Sequence, residues 1–369
     1  MPEVSVVIVC MGGPQKHLEA CLAGLQAHTS ASYEVLVVAY RWEEADKEAF
    51  AKAHPEVTLI PSDEVRGFSE NNNLALPLAK GRYCLVLNDD TRMEEPVVDK
   101  LLDDLAVLPE NAAVVSPCIR FADGRIQTCG RSRWTAWRYA KHYLHLVDEG
   151  NVRSPEDSVS LRSTPAPCAW IKRRQQAPGR TRDFAAAKSS REKRPRGIIG
   201  GSAPSNLGQA PGHPTPPTPP LTSSSVFQTY TLNGACFLIK TEVFRKVGWF
   251  DERFFFTPED IALGHVLNEA GYTVWADPAV SITHLAGGSV SAMEAAIKPA
   301  RVRGSLLFYG EPLWLRCFVW CFEALRVCKY AFLPRTPRNV LMSRTARNVM
   351  KTAFSKASPK ELFIRFSHE

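Results

Sequence analysis

The sequence lacks the marks of several common protein classes. No two of its ten cysteines form a C-x-x-C pair, so the thiolate spacing of a structural zinc site is missing. The cysteines are scattered, mostly in apolar runs such as those around Cys84 and Cys236, which predicts reduced core thiols in a reducing compartment. No leader is visible: Met1-Pro2-Glu3 runs straight into the strand-like Val4–Cys10. The stretch from Leu306 to Phe332 is rich in Trp, Phe, Leu and Cys, but Arg316, Glu323, Arg326 and Lys329 interrupt it, which makes it a poor transmembrane span. The body also lacks positive charge, despite a net +7 for the whole chain. Residues 171–197 hold ten Lys/Arg against two Asp/Glu, and residues 333–369 hold eight against two. Setting aside those excesses of eight and six leaves the remainder at −7. A mildly acidic body with two basic appendages argues against nucleic acid as its ligand.

What is present is regular alternation. The 369 residues, 45% of them hydrophobic, suffice for one large domain or two ordinary ones. Strands are predicted at Val4–Cys10, Glu34–Ala39, Val57–Ile60 and Tyr83–Leu87. Helices are predicted between them: one from Pro14 with Leu18, Cys21, Leu22 and Leu25 on one face, then Glu43–His54 and Ser69–Lys80. Such alternation predicts an α/β fold with right-handed crossovers and a doubly wound, mostly parallel sheet with flanking helices. A helix at Val97–Leu108, a strand at Ala112–Ser116 and a hairpin turned at Asp123-Gly124 continue the pattern. Residues 151–225 break it. Their basic run leads into Pro214-Thr215-Pro216-Pro217-Thr218-Pro219-Pro220, and the segment is expected to be a disordered, solvated insertion. Order is expected again at a strand Thr229–Lys240, a helix Ile261–Ala270 and short strands Tyr272–Trp275 and Ala279–Thr283. In the tail, Met342, Ala346, Val349, Met350 and Ala353 share one helical face opposite Arg344, Arg347 and Lys351. That pattern fits either a helix lying on an anionic membrane or one packed on the body.

Three polar groups sit at ends of these elements. Leu87-Asn88-Asp89-Asp90-Thr91 follows a buried strand, where an open α/β sheet binds its ligands. Its carboxylates suit either a hard divalent cation or an ordinary Asn-Asp turn. Thr257-Pro258-Glu259-Asp260 reads as a helix start with Thr257 as N-cap, preceded by the aromatic run Phe254–Phe256. His284 follows a strand and precedes Gly287-Gly288-Ser289.

These segments, with Gly67-Phe68-Ser69-Glu70-Asn71-Asn72-Asn73, Gly234-Ala235-Cys236-Phe237-Leu238-Ile239 and Gly248-Trp249-Phe250-Asp251-Glu252, occur in the order found in family-2 glycosyltransferases. The chain resembles that family, of the GT-A fold and the rhamnosyltransferase-like kind, over roughly residues 4–145 and 229–290. The resemblance implies two halves of one catalytic domain, 1–150 for the nucleotide-sugar and 226–300 for the acceptor; the composition adds the basic, Pro-rich insertion 151–225 and a helical, basic tail at 301–369, either membrane-associated or packed on the body. The resemblance also implies an inverting, metal-dependent transfer of a sugar from a nucleotide-diphosphate sugar to a glycan or lipid-linked acceptor, at the cytoplasmic face of a membrane. Asp90 would be the direct ligand of Mn2+ or Mg2+, with His284 as a further ligand. Asn88, Asp89, Asn73, Gly67 and Gly234 would lie at the donor. Asp260 would be the general base, supported by Glu259. Trp249 and Phe254–Phe256 would either stack on a sugar ring or fill the core.

The chain departs from the family pattern in three places. The acid usual after the second strand is replaced by Ala39, with Glu43, Glu44 and Asp46 nearby as substitutes. An Asp and an Arg usual after the Glu-Asp pair are Ala262 and His265 here, and the insertion is long. Two other readings stay open. A nucleotidyltransferase would want a Gly-rich loop with a basic residue after the first strand, of which Met11-Gly12-Gly13-Pro14-Gln15-Lys16 is a faint echo. A degenerate protein that only binds nucleotide or glycan would tolerate Ala39.

Overall fold

The alternation along the first ninety residues is realised as β1 (Val4–Met11), α1 (Lys16–His28), β2 (Tyr33–Tyr40), α2 (Glu44–Ala53), β3 (Val57–Ser62), α3 (Phe68–Ala75) and β4 (Tyr83–Asn88). The structure is a computed structural model that describes residues 1–14, 16–146, 226–285 and 293–368. All of these belong to one unit formed by residues 1–172 and 225–369, while 173–224 separates as a second unit. The expected insertion at 151–225 lies outside the described residues, and so does Gly287-Gly288-Ser289.

Strands β3, β2, β1 and β4 pair in parallel, in that spatial order. Both faces are covered, which is why these strands read as continuous apolar runs. Val6, Ile8, Val37, Leu85 and Leu87 pack under α1 and α4 (Val97–Val107). Val7, Leu36, Val38 and Val86 face the other way, toward Phe237, Phe244 and Phe250. The predicted third helix is shorter than its pattern: α3 ends at Ala75 and a 3₁₀ turn, Leu76–Leu78, follows. Pro77 lacks the N–H that an α-helix needs there.

The second half of the sheet is mixed. β6 (Ala112–Arg120) turns through Gly124, which has φ of +82°, into β7 (Ile126–Thr128). β9 (Cys236–Lys240) inserts antiparallel between β4 and β6. β10 (Thr273–His284) runs parallel to β6, with the short β5 (Thr91–Arg92) and β8 (Phe227–Thr229) antiparallel to it. Two sequence readings change here. The strand expected over 229–240 is broken, because residues after β8 turn to bridge Arg131 and because the Ala235 N–H donates to Asn233 Oδ1 over 2.9 Å. The two short strands expected at 272–283 are one strand, with a register shift between Asp277 and Ser281 beside Pro278.

The helical region packs on this sheet unit. It comprises α5 (Ala136–Tyr143), α6 (Thr241–Lys246), α7 (Glu259–Glu269), α8 (Glu294–Phe308), α9 (Leu313–Ala331), α10 (Pro337–Thr352) and α11 (Pro359–Ser367). Tyr139, Leu306, Leu315, Val319, Val349 and Ala353 form one core of this region. The apolar face of α10 is therefore inside: Ala346, Val349 and Ala353 are buried. Of the two readings of that helix, the structure takes the packed one. At the centre Glu323 is fully buried, accepting from Tyr143 Oη over 2.5 Å and from Arg326 Nη1 over 2.9 Å. A buried carboxylate persists only with such partners. Thr336 and Ser358 cap α10 and α11. Among the described residues no helix is long and apolar enough to cross a membrane. The cysteines also divide: Cys10, Cys21, Cys84, Cys118, Cys129 and Cys236 are core thiols as expected, but Cys317, Cys321 and Cys328 are exposed on α9.

Candidate active site

The carboxyl end of β4 carries Asn88, Asp89 and Asp90, and local bonds fix the turn that follows. Thr91 Oγ1 donates to the Asn88 carbonyl over 2.8 Å, and the Asn88 N–H donates to the Ala235 carbonyl over 2.9 Å. The pairing of β5 with β10 places Thr91 opposite His284. Two strand ends remote in sequence thus meet at one sheet edge.

The His284 ring stands between three groups. Its Nδ1 lies 3.1 Å from Gln127 Oε1, and its Nε2 lies 3.2 Å from Asp90 Oδ1 and 3.4 Å from Asn88 Nδ2. The ring can donate from Nε2 to Asp90 or, with its proton on Nδ1 facing Gln127, present the Nε2 lone pair to a cation beside Asp90. One imidazole nitrogen and one carboxylate form a donor set suited to a divalent ion, and Gln127 orients the ring from behind as outer-shell partners do. Among the described residues no three His, Cys, Asp or Glu side chains gather to enclose an ion. Asp90 and His284 could hold a cation as two protein ligands, leaving it open toward a ligand's own oxygens.

Asp89 turns away from this pair. Its carboxylate lies 3.2 Å from His17 Nε2 on α1. Burial pushes its carboxyl above the usual range and the Asp90 charge adds to that, while hydrogen bonding from Cys10 and the nearby His17 oppose the rise.

A second cluster forms at the start of α7. Asp260 Oδ2 lies 3.1 Å from Arg131 Nη1 and accepts from the Gly234 N–H over 3.4 Å, while its Oδ1 accepts from the Ile261 N–H over 2.7 Å. Arg131 reaches Asp260 because its backbone pairs with Thr231, whose hydroxyl donates to the Asp260 carbonyl over 2.8 Å. Glu259 beside it is buried, and burial raises its carboxyl well above the ordinary value, with the Asp260 charge as the next cause. The expected N-cap moves by one residue: α7 is capped at Pro258 without a side-chain bond, and Thr257 stands before it.

The two clusters are linked by short paths. Ala235 bonds Asn88 and its neighbour Gly234 bonds Asp260. The segment from Gln127 to Arg131 serves His284 at one end and Asp260 at the other. Gln127, Arg131 and His17 carry no motif, and only the partners they meet in the fold reveal them.

Other expected site residues are engaged elsewhere. Gly67 is required by packing, since a Cβ there would sit 2.1 Å from the Phe255 carbonyl oxygen. The Asn73 amide donates to the Phe250 carbonyl over 3.0 Å and to Glu252 Oε1 over 2.9 Å, and its oxygen accepts from the Phe250 N–H over 3.2 Å. Phe254 and Phe255 are buried, which takes the core reading, and Trp249 packs on Phe244 with ring centroids 5.2 Å apart. Ala39 is buried in the core under α1. Of its possible substitutes, Asp46 lies against Gly13, with Oδ2 3.2 Å from where a Cβ would be. Ala262 and His265 are also core: Tyr230 Oη lies 2.5 Å from His265 Nδ1, and burial lowers that imidazole to about 4.

Residues 5–158 match the model of the family described as Glycosyl transferase family 2. The matched stretch holds Asn88, Asp89, Asp90, Gln127 and Arg131. Over that stretch the chain is similar to the family 2 glycosyltransferases. The chain is also 21% identical over 322 residues to the N-acetylglucosaminyl-diphospho-decaprenol L-rhamnosyltransferase of Mycobacterium tuberculosis, in both strain CDC 1551 / Oshkosh and strain H37Rv. That match covers 84% of this chain and 85% of the relative. Among solved structures, GalNAc-T7 with UDP, GalNAc and Mn2+ aligns with 77% of this chain at a TM-score of 0.48 and 13% identity. The chain spans only 43% of that protein. The mannosyltransferase PcManGT of Pyrobaculum calidifontis, in complex with GDP-Man and Mn2+, aligns with all of this chain and 79% of its own at 0.46 and 13% identity.

Proposed function

We propose that this protein is a glycosyltransferase that moves a sugar from a nucleotide-diphosphate sugar to a lipid-linked glycan at a membrane face, with inversion at the anomeric carbon. The observation that carries the reading is the linkage of two unlike clusters, Asp90 with His284 and Asp260 with Arg131, through Gly234 and Ala235. One is suited to a diphosphate and the other to a hydroxyl. The lipid-linked acceptor is supported by the mycobacterial relative, whose name specifies one.

Asp260 acts as the general base. It accepts the proton of the acceptor hydroxyl while that oxygen bonds to the anomeric carbon, and the bond to the diphosphate breaks with its electron pair leaving on the diphosphate. A single displacement inverts the centre. Arg131 and the Gly234 and Ile261 N–H groups hold both oxygens of Asp260 in place. Glu259, buried beside it, supports Asp260. Asp90 and His284 would hold Mn2+ or Mg2+, which when bound neutralises the charge that develops on the diphosphate. Asn88 and Asp89 orient the donor beside them, and Gly234 lets it approach Asp260. Gly67 and Asn73 enter as positioning residues, because their contacts go to Phe255, Phe250 and Glu252.

The test is a panel of UDP-, GDP- and dTDP-sugars with Mn2+ or Mg2+, read as release of nucleoside diphosphate with a lipid-diphosphate acceptor present. Release from at least one donor is expected, and it should be lost with chelator. Tight binding of a donor with release from none would leave only a binding protein.

A further inference from the structure

Helix α9 is amphipathic in an unusual sense. Leu315, Val319 and Glu323, spaced four apart, face inward and are buried. The opposite side carries no charge. Trp314, Trp320 and Leu325 are exposed there, and Phe332, just past the helix end, is 90% exposed. The exposed cysteines 317, 321 and 328 fall on the same stripe. At 100° per residue these side chains span roughly 140° of the helix circumference. The patch extends to a second element: Trp137 of α5 is 63% exposed, with its ring centroid 6.1 Å from that of Trp314. An exposed apolar surface of this extent marks an interaction site rather than scattered surface residues.

The surrounding charge names the occupant. Residues 313–357 contain nine Lys/Arg and one acid. That acid is Glu323, which is fully buried. Lys329, Arg335 and Arg338 are exposed at the end of the stripe, with no exposed carboxylate between 313 and 357. A second copy across a two-fold axis would set this basic rim against itself, since such an interface joins the same patch on both chains. An anionic bilayer complements both features: tryptophans favour the headgroup level and Lys/Arg favour acidic lipid. The 19-residue helix, about 28 Å long, can lie in the interface plane without crossing.

We propose that the outward stripe of α9, together with Trp137, is a docking surface for an anionic lipid bilayer, and that it lays the catalytic unit on the leaflet. The proposal rests on the reading above only in that a lipid-linked acceptor would be reached there. It places the contact on α9, since the apolar face of α10 is buried. Trp137 is six residues from Arg131, at most about 22 Å of chain, so the surface adjoins the Asp260 side of the site.

The experiment is flotation of the full chain with vesicles of phosphatidylcholine alone or mixed with phosphatidylglycerol, without donor or acceptor. Flotation with the anionic vesicles is expected, weakened by salt. Combining Trp314→Ser, Trp320→Ser and Leu325→Ser should reduce partition by about tenfold or more and leave the circular dichroism unchanged. Should that variant unfold, Lys329→Glu with Arg335→Glu decides instead, through loss of the preference for phosphatidylglycerol. No flotation of the wild type, or flotation unchanged in both variants, would overturn the proposal. So would a wild-type dimer that the triple variant converts to monomer, because a second copy would then cover the stripe. Donor turnover measured in parallel separates failure of this surface from failure of the enzymatic reading.

Discussion

At the scale of single residues, two neighbouring carboxyls of the candidate site stand in different surroundings. Glu259 and Asp260 are adjacent, yet burial raises the Glu259 carboxyl well above its ordinary value while Arg131 and two backbone N–H groups bond the Asp260 oxygens. Asp260→Asn is expected to lower turnover by about 10²–10⁴-fold, the range for loss of a positioned acid or base. Donor affinity, measured by calorimetry, should stay close to wild type; normal turnover in Asp260→Asn would remove the residue from the base role. Asp90→Ala should do the reverse, weakening donor binding most where Mn2+ or Mg2+ is present. Of these residues, Asn88, Asp89, Asp90, Glu259, Asp260 and His284 stood out in the sequence because each ends a strand or opens a helix. Arg131 and Gln127 did not, since a single Arg or Gln in an irregular segment has no pattern to mark it.

At the scale of elements, several features that look like ligand contacts are packing devices. Gly67 lets α3 meet the backbone of Phe255, and Asn73 clamps the same helix to Phe250 and Glu252. Gly67→Ala is expected to cost about 1–3 kcal/mol, as overpacking of a tight contact does, and denaturant unfolding would measure it. A loss of donor binding with full stability would instead return Gly67 to the donor site. The strands β1, β2 and β4 were legible because each is buried on both faces. The break between β8 and β9 was not legible, because Leu232 is as buried as any strand residue while its segment turns to bridge Arg131. For α10, periodicity revealed an apolar face but not which surface covers it.

At the scale of the whole molecule, pH acts through His265. Its folded value of about 4 lies below the usual 6.5. The unfolded chain therefore takes up this proton first, and the stability it contributes is intact above pH 6.5 and lost as pH falls toward 4. The chain should lose about 2 kcal/mol from this group between pH 7 and pH 5. His265→Gln, which keeps an acceptor for Tyr230 Oη, should flatten that slope in urea titrations at the two pH values. An unchanged slope would assign the acid sensitivity to other groups.

The sequence by itself determined the alternation of buried strands and helices, the β4 terminus with its three polar residues, and the absence of a membrane-crossing run. Those depend on local spacing and composition, which a linear chain displays. Only the tertiary structure decided that β9 runs antiparallel beside β4, that His284 faces Asp90, that Arg131 holds Asp260, and that the outer face of α9 is apolar. Each is a meeting of segments remote in sequence, set by strand pairing and by which helix face finds a neighbour, and no local pattern encodes such partners.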